Sequence, residues 1–288
     1  MSVSAGVAGG TLGVLAGGGP LPGQVARAAM RAGRSVFLVG FKGFAEPDVL
    51  EPFPHEYVRL GAAGRMLELL RQNDCRELVL VGPVRRPSLL ALRPDVEGAR
   101  ILARIGRAAF GGDDGVLAAV VRVLGEEGFT VVGAHDVIGT MLGPLGAVSE
   151  AYPDVDAWRD IRRGVAVAQA LGTVDVGQGC IVQQGIVLAV EAIEGTDAMI
   201  ARAGGLALPG VGGVLVKLVK PGQERRADLP TIGPGTVENA RKAGLCGIAY
   251  EAGGTIFIDK AETTRAADAA GMYLIGIDPL RVLEGDLG

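Results

Sequence analysis

Apolar positions in this chain fall into short runs separated by stretches with helical spacing. Leu12 to Ala16 is the first run, and Gly17-Gly18-Gly19-Pro20 follows it at once. Leu21 to Arg31 then places Val25, Ala28 and Ala29 on one side of a helix that Gly33 ends. Ser35 to Phe41 (S-V-F-L-V-G-F) is a second buried strand, completing a βαβ unit. The alternation continues through helix 64–72, strand 77–81, a helical region up to Phe110, helix 114–127 and strand 129–133. Continuous apolar strands divided by helices predict a parallel sheet covered on both faces.

Gly139 to Tyr152 is rich in Gly and Pro and lacks long periodicity, so it reads as a join between domains. Beyond it, residues 157–171 space Trp158, Ile161, Val165, Ala168 and Leu171 as one helix face. Residues 180–182 and 186–191 are strands connected through Gln183-Gln184-Gly185. Gly195-Thr196-Asp197 predicts a helix start with Thr196 as the N-cap, and Gly204-Gly205 its end. Val214 to Lys220 alternates as a strand, and Gly235-Thr236 opens a helix over 237–243. Residues 247–251 and 255–259 read as strands joined in a hairpin at Gly253-Gly254. A helix over 260–270 and a strand over 273–277 finish the pattern. The fold expected is α/β. A Rossmann-like parallel-sheet domain spans residues 1–146, and a second α/β domain with a mixed sheet spans 147–288.

Composition narrows the class. Of 288 residues, 49% are hydrophobic and 21% charged, which suits a soluble protein with an ample core. The net charge of −4 and the lack of a Lys/Arg run argue against general nucleic-acid binding. No window is apolar for 18 residues, and the first residues lack the pattern of a signal peptide, so a cytoplasmic protein without a spanning helix is expected. Cys75, Cys180 and Cys246 lie far apart in or beside apolar runs, as buried reduced thiols do.

Two polar stretches interrupt the apolar pattern of the second half. Lys217 to Gly233 (K-L-V-K-P-G-Q-E-R-R-A-D-L-P-T-I-G) gathers cations, carboxylates and amides at the end of a strand. Glu191 to Arg202 (E-A-I-E-G-T-D-A-M-I-A-R) groups Glu191, Glu194 and Asp197 beside another. Cations suit phosphate oxygens and carboxylates suit a hard divalent ion, so the two stretches are expected to meet in one phosphate-and-metal site. Mg²⁺ is the expected metal, with Mn²⁺ as a substitute; no Cys/His cluster favours zinc. In the first half, Gly17–Pro22 supplies G-x-G but has Pro22 in place of the third glycine. No acidic residue closes the second strand at Phe41, so an NAD fingerprint is not met. The loop retains Gly18 and Gly19 as candidates for phosphate contact. Gly111-Gly112-Asp113-Asp114 reads as a helix N-cap or as part of an active site. His55 and His135 have no nucleophile beside them in sequence.

The motifs A-G-G-G-P-L-P (residues 16–22), G-G-D-D (111–114), D-V-G-Q-G (175–179), V-E-A-I-E-G-T-D (190–197), L-V-K-L-V-K-P (215–221) and D-L-P-T-I-G (228–233) together resemble a known family. It is the two-domain, metal-dependent UDP-2,3-diacylglucosamine pyrophosphatases of lipid A biosynthesis. Glu224 stands where similar sequences carry an aspartate. The resemblance implies hydrolysis of UDP-2,3-diacylglucosamine to UMP and 2,3-diacylglucosamine 1-phosphate, with Mg²⁺, by water attacking the sugar-side phosphorus. It also implies a homodimer, and a lipid substrate brings an expectation of peripheral contact with the inner face of the inner membrane. Asp228 is the leading candidate for metal ligand or water-orienting base, with Glu191, Glu194 and Asp197 as further metal candidates. Lys217, Lys220, Arg225 and Arg226 are candidate phosphate clamps, joined by Arg202. Gln178, Gln223 and Thr231 are candidate hydrogen-bonding partners of the pyrophosphate or nucleotide. Two competing readings are another nucleotide-dependent α/β enzyme and a non-catalytic nucleotide-sugar or lipid-binding protein. Phosphate-capable loops in both halves lead to the expectation that substrate lies between the domains.

Overall fold

A computed structural model describes residues 10–85, 92–106 and 113–285. Gly111 and Gly112 of the G-G-D-D motif lie outside the described residues. The chain divides into two compact units. One holds the described residues up to Gly139 together with Glu224–Asp228; the other holds Thr140–Gln223 and the described residues from Leu229 onward.

The first unit is a parallel sheet of β1 (Thr11–Ala16), β2 (Val36–Phe41), β3 (His55–Val58), β4 (Cys75–Val81) and β5 (Thr130–Val131), in the order β3-β2-β1-β4-β5. That is the doubly wound order expected of the Rossmann-like pattern. β3 is absent from the periodicity because it is an edge strand carrying His55 and Glu56, with only Val58 fully buried. Its backbone pairs with β2 where hydrophobicity gives no signal. Helices Leu21–Arg31 and Ala63–Gln72 turn apolar faces to the sheet. Leu15, Val39, Leu67, Leu70, Leu78 and Phe129 are among the residues of one hydrophobic core of this unit. Ala227 packs against that same core, which ties the Glu224–Asp228 segment to this unit.

The second unit is built on β6 (Gly146–Ala147), β7 (Gly179–Gln183), β8 (Ile186–Val190), β9 (Val214–Lys217), β11 (Gly247–Glu251) and β13 (Tyr273–Ile277). Their order is β6-β13-β11-β9-β7-β8. β9, β11 and β13 run parallel, while β6, β7 and β8 join antiparallel, so the sheet is mixed as expected. Alternate residues face opposite layers, as strand geometry requires. Ile181, Leu215, Ile248, Tyr250 and Leu274 pack with the helices Gly195–Gly204, Pro234–Lys242 and Lys260–Ala269. Cys180, Val182, Val214, Val216, Ala249 and Ile275 pack on the other face with the helix Val155–Thr173. Trp158 is part of that core, as its spacing implied.

Three expectations are corrected. Residues 247–251 and 255–259 do not form a hairpin. β11 is paired on both sides, by β9 and β13, so no edge remains for the next strand. The chain instead passes into β12 (Ile256–Phe257), which pairs with β10 (Thr231–Ile232) in a separate two-stranded sheet. Thr196 is not the N-cap: the helix begins at Gly195, Glu194 occupies the cap position, and no side chain caps it. The chain also does not finish on β13, since Pro279–Glu284 forms a last helix, capped by the Asp278 side chain.

Candidate active site

Strand direction decides which loops of the second unit share an end. β9 and β11 are parallel and finish at Lys217 and Glu251. β7 runs the opposite way, so its first residue, Gly179, sits opposite Lys217. β8 returns antiparallel to β7 and brings Val190, and with it Glu191, to the same end. Loops at strand ends are where ligand contacts concentrate in such sheets.

Glu191 is 6% exposed. Its amide donates to the Gly179 carbonyl at 2.9 Å. The Thr196 hydroxyl donates to Oε1 at 2.5 Å, while Oε2 is buried and has no hydrogen-bond partner. A Cβ placed on Gly179 would stand 3.0 Å from that oxygen, so the glycine leaves it room. A Cβ on Gly177 would come within 2.1 Å of the Glu191 carbonyl oxygen, so the D-V-G-Q-G loop presses directly on this strand end. Buried carboxylate oxygens without partners are rare and costly, which makes Oε2 the atom of this site that most calls for a ligand.

Lys217 is 5% exposed and donates from Nζ to the Thr231 carbonyl at 3.0 Å. The strand stops at Lys217, three residues before Lys220, so strict alternation no longer forces the two lysines to opposite faces. Lys220 meets Asp175 at 2.6 Å. Gln223 accepts from the Lys220 amide through Oε1 at 3.0 Å and approaches Gln178 Oε1 with Nε2 at 3.5 Å. The Gln178 carbonyl in turn accepts from the Leu218 amide at 2.9 Å. Glu251 accepts from the Val219 amide at 3.0 Å, fixing the backbone just past the strand. The structure thus brings Gln178, Glu191, Lys217, Lys220, Gln223 and Thr231 to one sheet end. Asp175 and Glu251 join them. Sequence reasoning passed over both, although Asp175 opens the D-V-G-Q-G motif and Glu251 is a lone carboxylate ending an apolar strand.

The other expected residues are placed differently. Glu194 pairs with Arg202 at 2.7 Å; its own backbone N–H and that guanidinium hold its carboxyl below the usual range. Arg202 also donates to the Val190 carbonyl, so it ties its helix to β8. Asp197 accepts from Asn239 at 3.0 Å. Among the described residues, no group of three or more His, Cys, Asp and Glu side chains is close enough to hold a metal ion. Arg226 grips Glu224 with two hydrogen bonds of 2.8 and 2.7 Å, which hold the Glu224 carboxyl below its ordinary range. Arg225 and Asp228 lie in the segment belonging to the first unit, where the Asp228 amide donates to the Glu224 carbonyl at 2.9 Å. In the glycine loop, the Gly18 amide donates to the Pro83 carbonyl at 3.0 Å and the Gly19 amide to Glu46 Oε1 at 3.1 Å. A phosphate using the Gly19 amide has to displace that carboxylate.

Comparison with known proteins places this geometry in a family. Residues 11–141 match the model of the LpxI N-terminal domain, and residues 144–275 match that of the LpxI C-terminal domain. The chain is 41% identical over 274 residues to the UDP-2,3-diacylglucosamine pyrophosphatase LpxI of Caulobacter vibrioides, covering 93% of this chain and 98% of the relative. The chain belongs to the LpxI family. The resemblance drawn from the six sequence motifs is thereby established, and Glu191, Lys217 and Lys220 fall within the LpxI C-terminal domain match. Among the described residues, no helix is long and apolar enough to cross a membrane.

Proposed function

We propose that this chain hydrolyses the pyrophosphate bond of UDP-2,3-diacylglucosamine in lipid A biosynthesis. Water oxygen bonds to the sugar-side phosphorus, the bridging P–O bond breaks, and the departing oxygen leaves on UMP. The other product is 2,3-diacylglucosamine 1-phosphate. The observation that carries the reading is the sheet end that gathers the buried Lys217, the half-buried Lys220 and a buried carboxylate with an unpartnered oxygen, in a chain of the LpxI family.

Within this reading, Lys217 and Lys220 neutralise charge on the pyrophosphate oxygens, charge that shifts towards UMP as the bond breaks. Gln178 and Gln223 orient the polar groups around them. Asp228, from the D-L-P-T-I-G motif, takes the proton of the attacking water or orients it. Thr231, in the same motif, hydrogen-bonds the phosphates. The donor set suits a hard cation at one point, Glu191 Oε2. Glu194 and Asp197 are already engaged by Arg202 and Asn239. Glu191, with Asp228 as the second candidate, would hold Mg²⁺ or Mn²⁺, and the remaining oxygens would come from substrate and water, as is usual for Mg²⁺. When bound, such an ion stabilises negative charge on phosphoryl oxygens.

Incubating the purified protein with UDP-2,3-diacylglucosamine and MgCl₂ and following UMP tests the reading. UMP release that EDTA stops and Mg²⁺ restores is the expected result. Binding without UMP would instead support the nucleotide-sugar or lipid-binding reading. A homodimer in solution and peripheral contact with the inner face of the inner membrane complete the proposal. Sedimentation and vesicle flotation test them separately.

A further inference from the structure

The D-V-G-Q-G loop holds an aspartate in an unusual conformation. Asp175 has φ of 52°, in the left-handed region that favours glycine, although glycines stand two and four residues further on. Aspartate tolerates this region better than most residues, but a side chain there needs compensation. The compensation in view is its carboxylate, which meets Lys220 Nζ at 2.6 Å. The lysine side chain is 10% exposed and the aspartate 28%, so the pair is largely withdrawn from water.

The same two loops are joined again beside that pair. Gln223 accepts from the Lys220 amide and reaches Gln178, and the Gln178 carbonyl accepts from Leu218. A Cβ on Gly172, at the end of the helix that delivers Asp175, would stand 2.9 Å from the Pro221 ring. The loop of residues 175–179 and the turn of residues 220–223 therefore form one braced unit. The Asp175–Lys220 ion pair within it fixes the ammonium of a candidate phosphate ligand.

We propose that Asp175 is a positioning residue for the reaction. It holds the Lys220 ammonium where the pyrophosphate arrives, and its strained backbone is retained for that purpose. This rests on Lys220 contacting phosphate, as assigned above. A long lysine side chain has many rotamers, and a carboxylate that selects one before substrate binds lowers the ordering needed at the reacting centre.

The test is a double-mutant cycle on Asp175→Asn and Lys220→Met, read in kcat, KM and thermal midpoint. Asparagine adopts the left-handed conformation readily and keeps the shape, so folding is preserved while the charge is lost. Methionine keeps most of the buried lysine stem. Asp175→Asn is expected to lower kcat by roughly 10–100-fold, within the range for losing organisation around a transferring phosphoryl group. In the Lys220→Met background the same change is expected to alter kcat less than about twofold, because a residue acting through Lys220 has nothing left to position. A melting midpoint within a few degrees of wild type excludes simple unfolding. Unchanged kcat in Asp175→Asn with impaired Lys220→Met overturns the positioning role alone. An equal loss in both backgrounds overturns it as well. Unchanged kcat in Lys220→Met instead overturns the assignment of Lys220, and this inference with it.

Discussion

Replacing Glu191 with glutamine separates a working carboxylate from a structural one. Glu191 is 6% exposed, with Oε1 bonded to the Thr196 hydroxyl and Oε2 without a partner. A buried polar atom left without a hydrogen bond costs about 1–3 kcal/mol. Glutamine keeps the shape and the Thr196 contact, and it exchanges the charged, unpartnered oxygen for a neutral amide group. The native state should therefore lose part of that penalty. At roughly 2–4 °C per kcal/mol for a chain of this size, the midpoint should stay level or rise by a few degrees. Activity should move the other way. If Oε2 holds the cation or an equivalent ligand in the working enzyme, UMP release should fall by ~10²-fold or more, about 2.7 kcal/mol of transition-state stabilisation. A melt without substrate adds a readout independent of turnover. An ion bound at ~100 times its Kd stabilises the native state by about 2.7 kcal/mol. MgCl₂ should thus raise the wild-type midpoint by several degrees and leave Glu191→Gln unmoved. A variant that melts higher and turns over normally would refute a functional Glu191. A variant that loses stability and activity in parallel would show that the carboxylate only supports the fold.

Asp228→Asn should cut kcat by roughly 10²–10⁴-fold, the scale for losing a positioned acid–base group, with a thermal midpoint near wild type; near-normal turnover by the folded variant would eliminate the base. Burial pushes the Cys75 thiol up to about 11 and the Cys180 thiol up to about 12, so at pH 8 neither should react with DTNB until the protein unfolds. Fast titration of two or more thiols in the native state would contradict their burial. Several glutamates titrate below their ordinary 4.5, with Glu238 down to about 2, chiefly through its hydrogen bond to Arg241. A carboxylate depressed in the folded state adds stability that is fully present above its unfolded pKa and drains as pH falls through the folded one. The midpoint should therefore be flat above about pH 5 and decline towards pH 2, and a midpoint that rises over that window would refute the pairing. Ile161→Ala, at a fully buried position under the sheet, should cost about 2–5 kcal/mol while leaving the KM of the folded fraction unchanged.

Identity of 41% with the LpxI relative across nearly the whole of both chains makes a shared fold and family secure. Substituting Glu191, Asp175 and Asp228 one at a time, with stability read beside turnover, separates their roles.

Much of this protein is determined by local sequence. The run Leu12–Ala16, its glycine loop and the helix face of Val25, Ala28 and Ala29 specify a βαβ unit, because strand and helix periods are properties of neighbouring residues. The same holds for the helix bearing Trp158, Ile161 and Val165, and for the motifs that carry the family resemblance. Tertiary structure decided what those periods do not encode. β3 exists because β2 offers an edge to pair with, not because His55-Glu56-Tyr57-Val58 is apolar. The hairpin expected at Gly253-Gly254 fails because β11 has both its neighbours already. Arg226 and Arg202, indistinguishable in sequence from phosphate clamps, are taken up by Glu224 and Glu194. Asp175 and Lys220 lie 45 residues apart, and only antiparallel β7 beside β9 brings their loops to one end of the sheet. Sequence places charges at strand ends, but strand order and direction, set by long-range packing of the whole sheet, choose which of them meet.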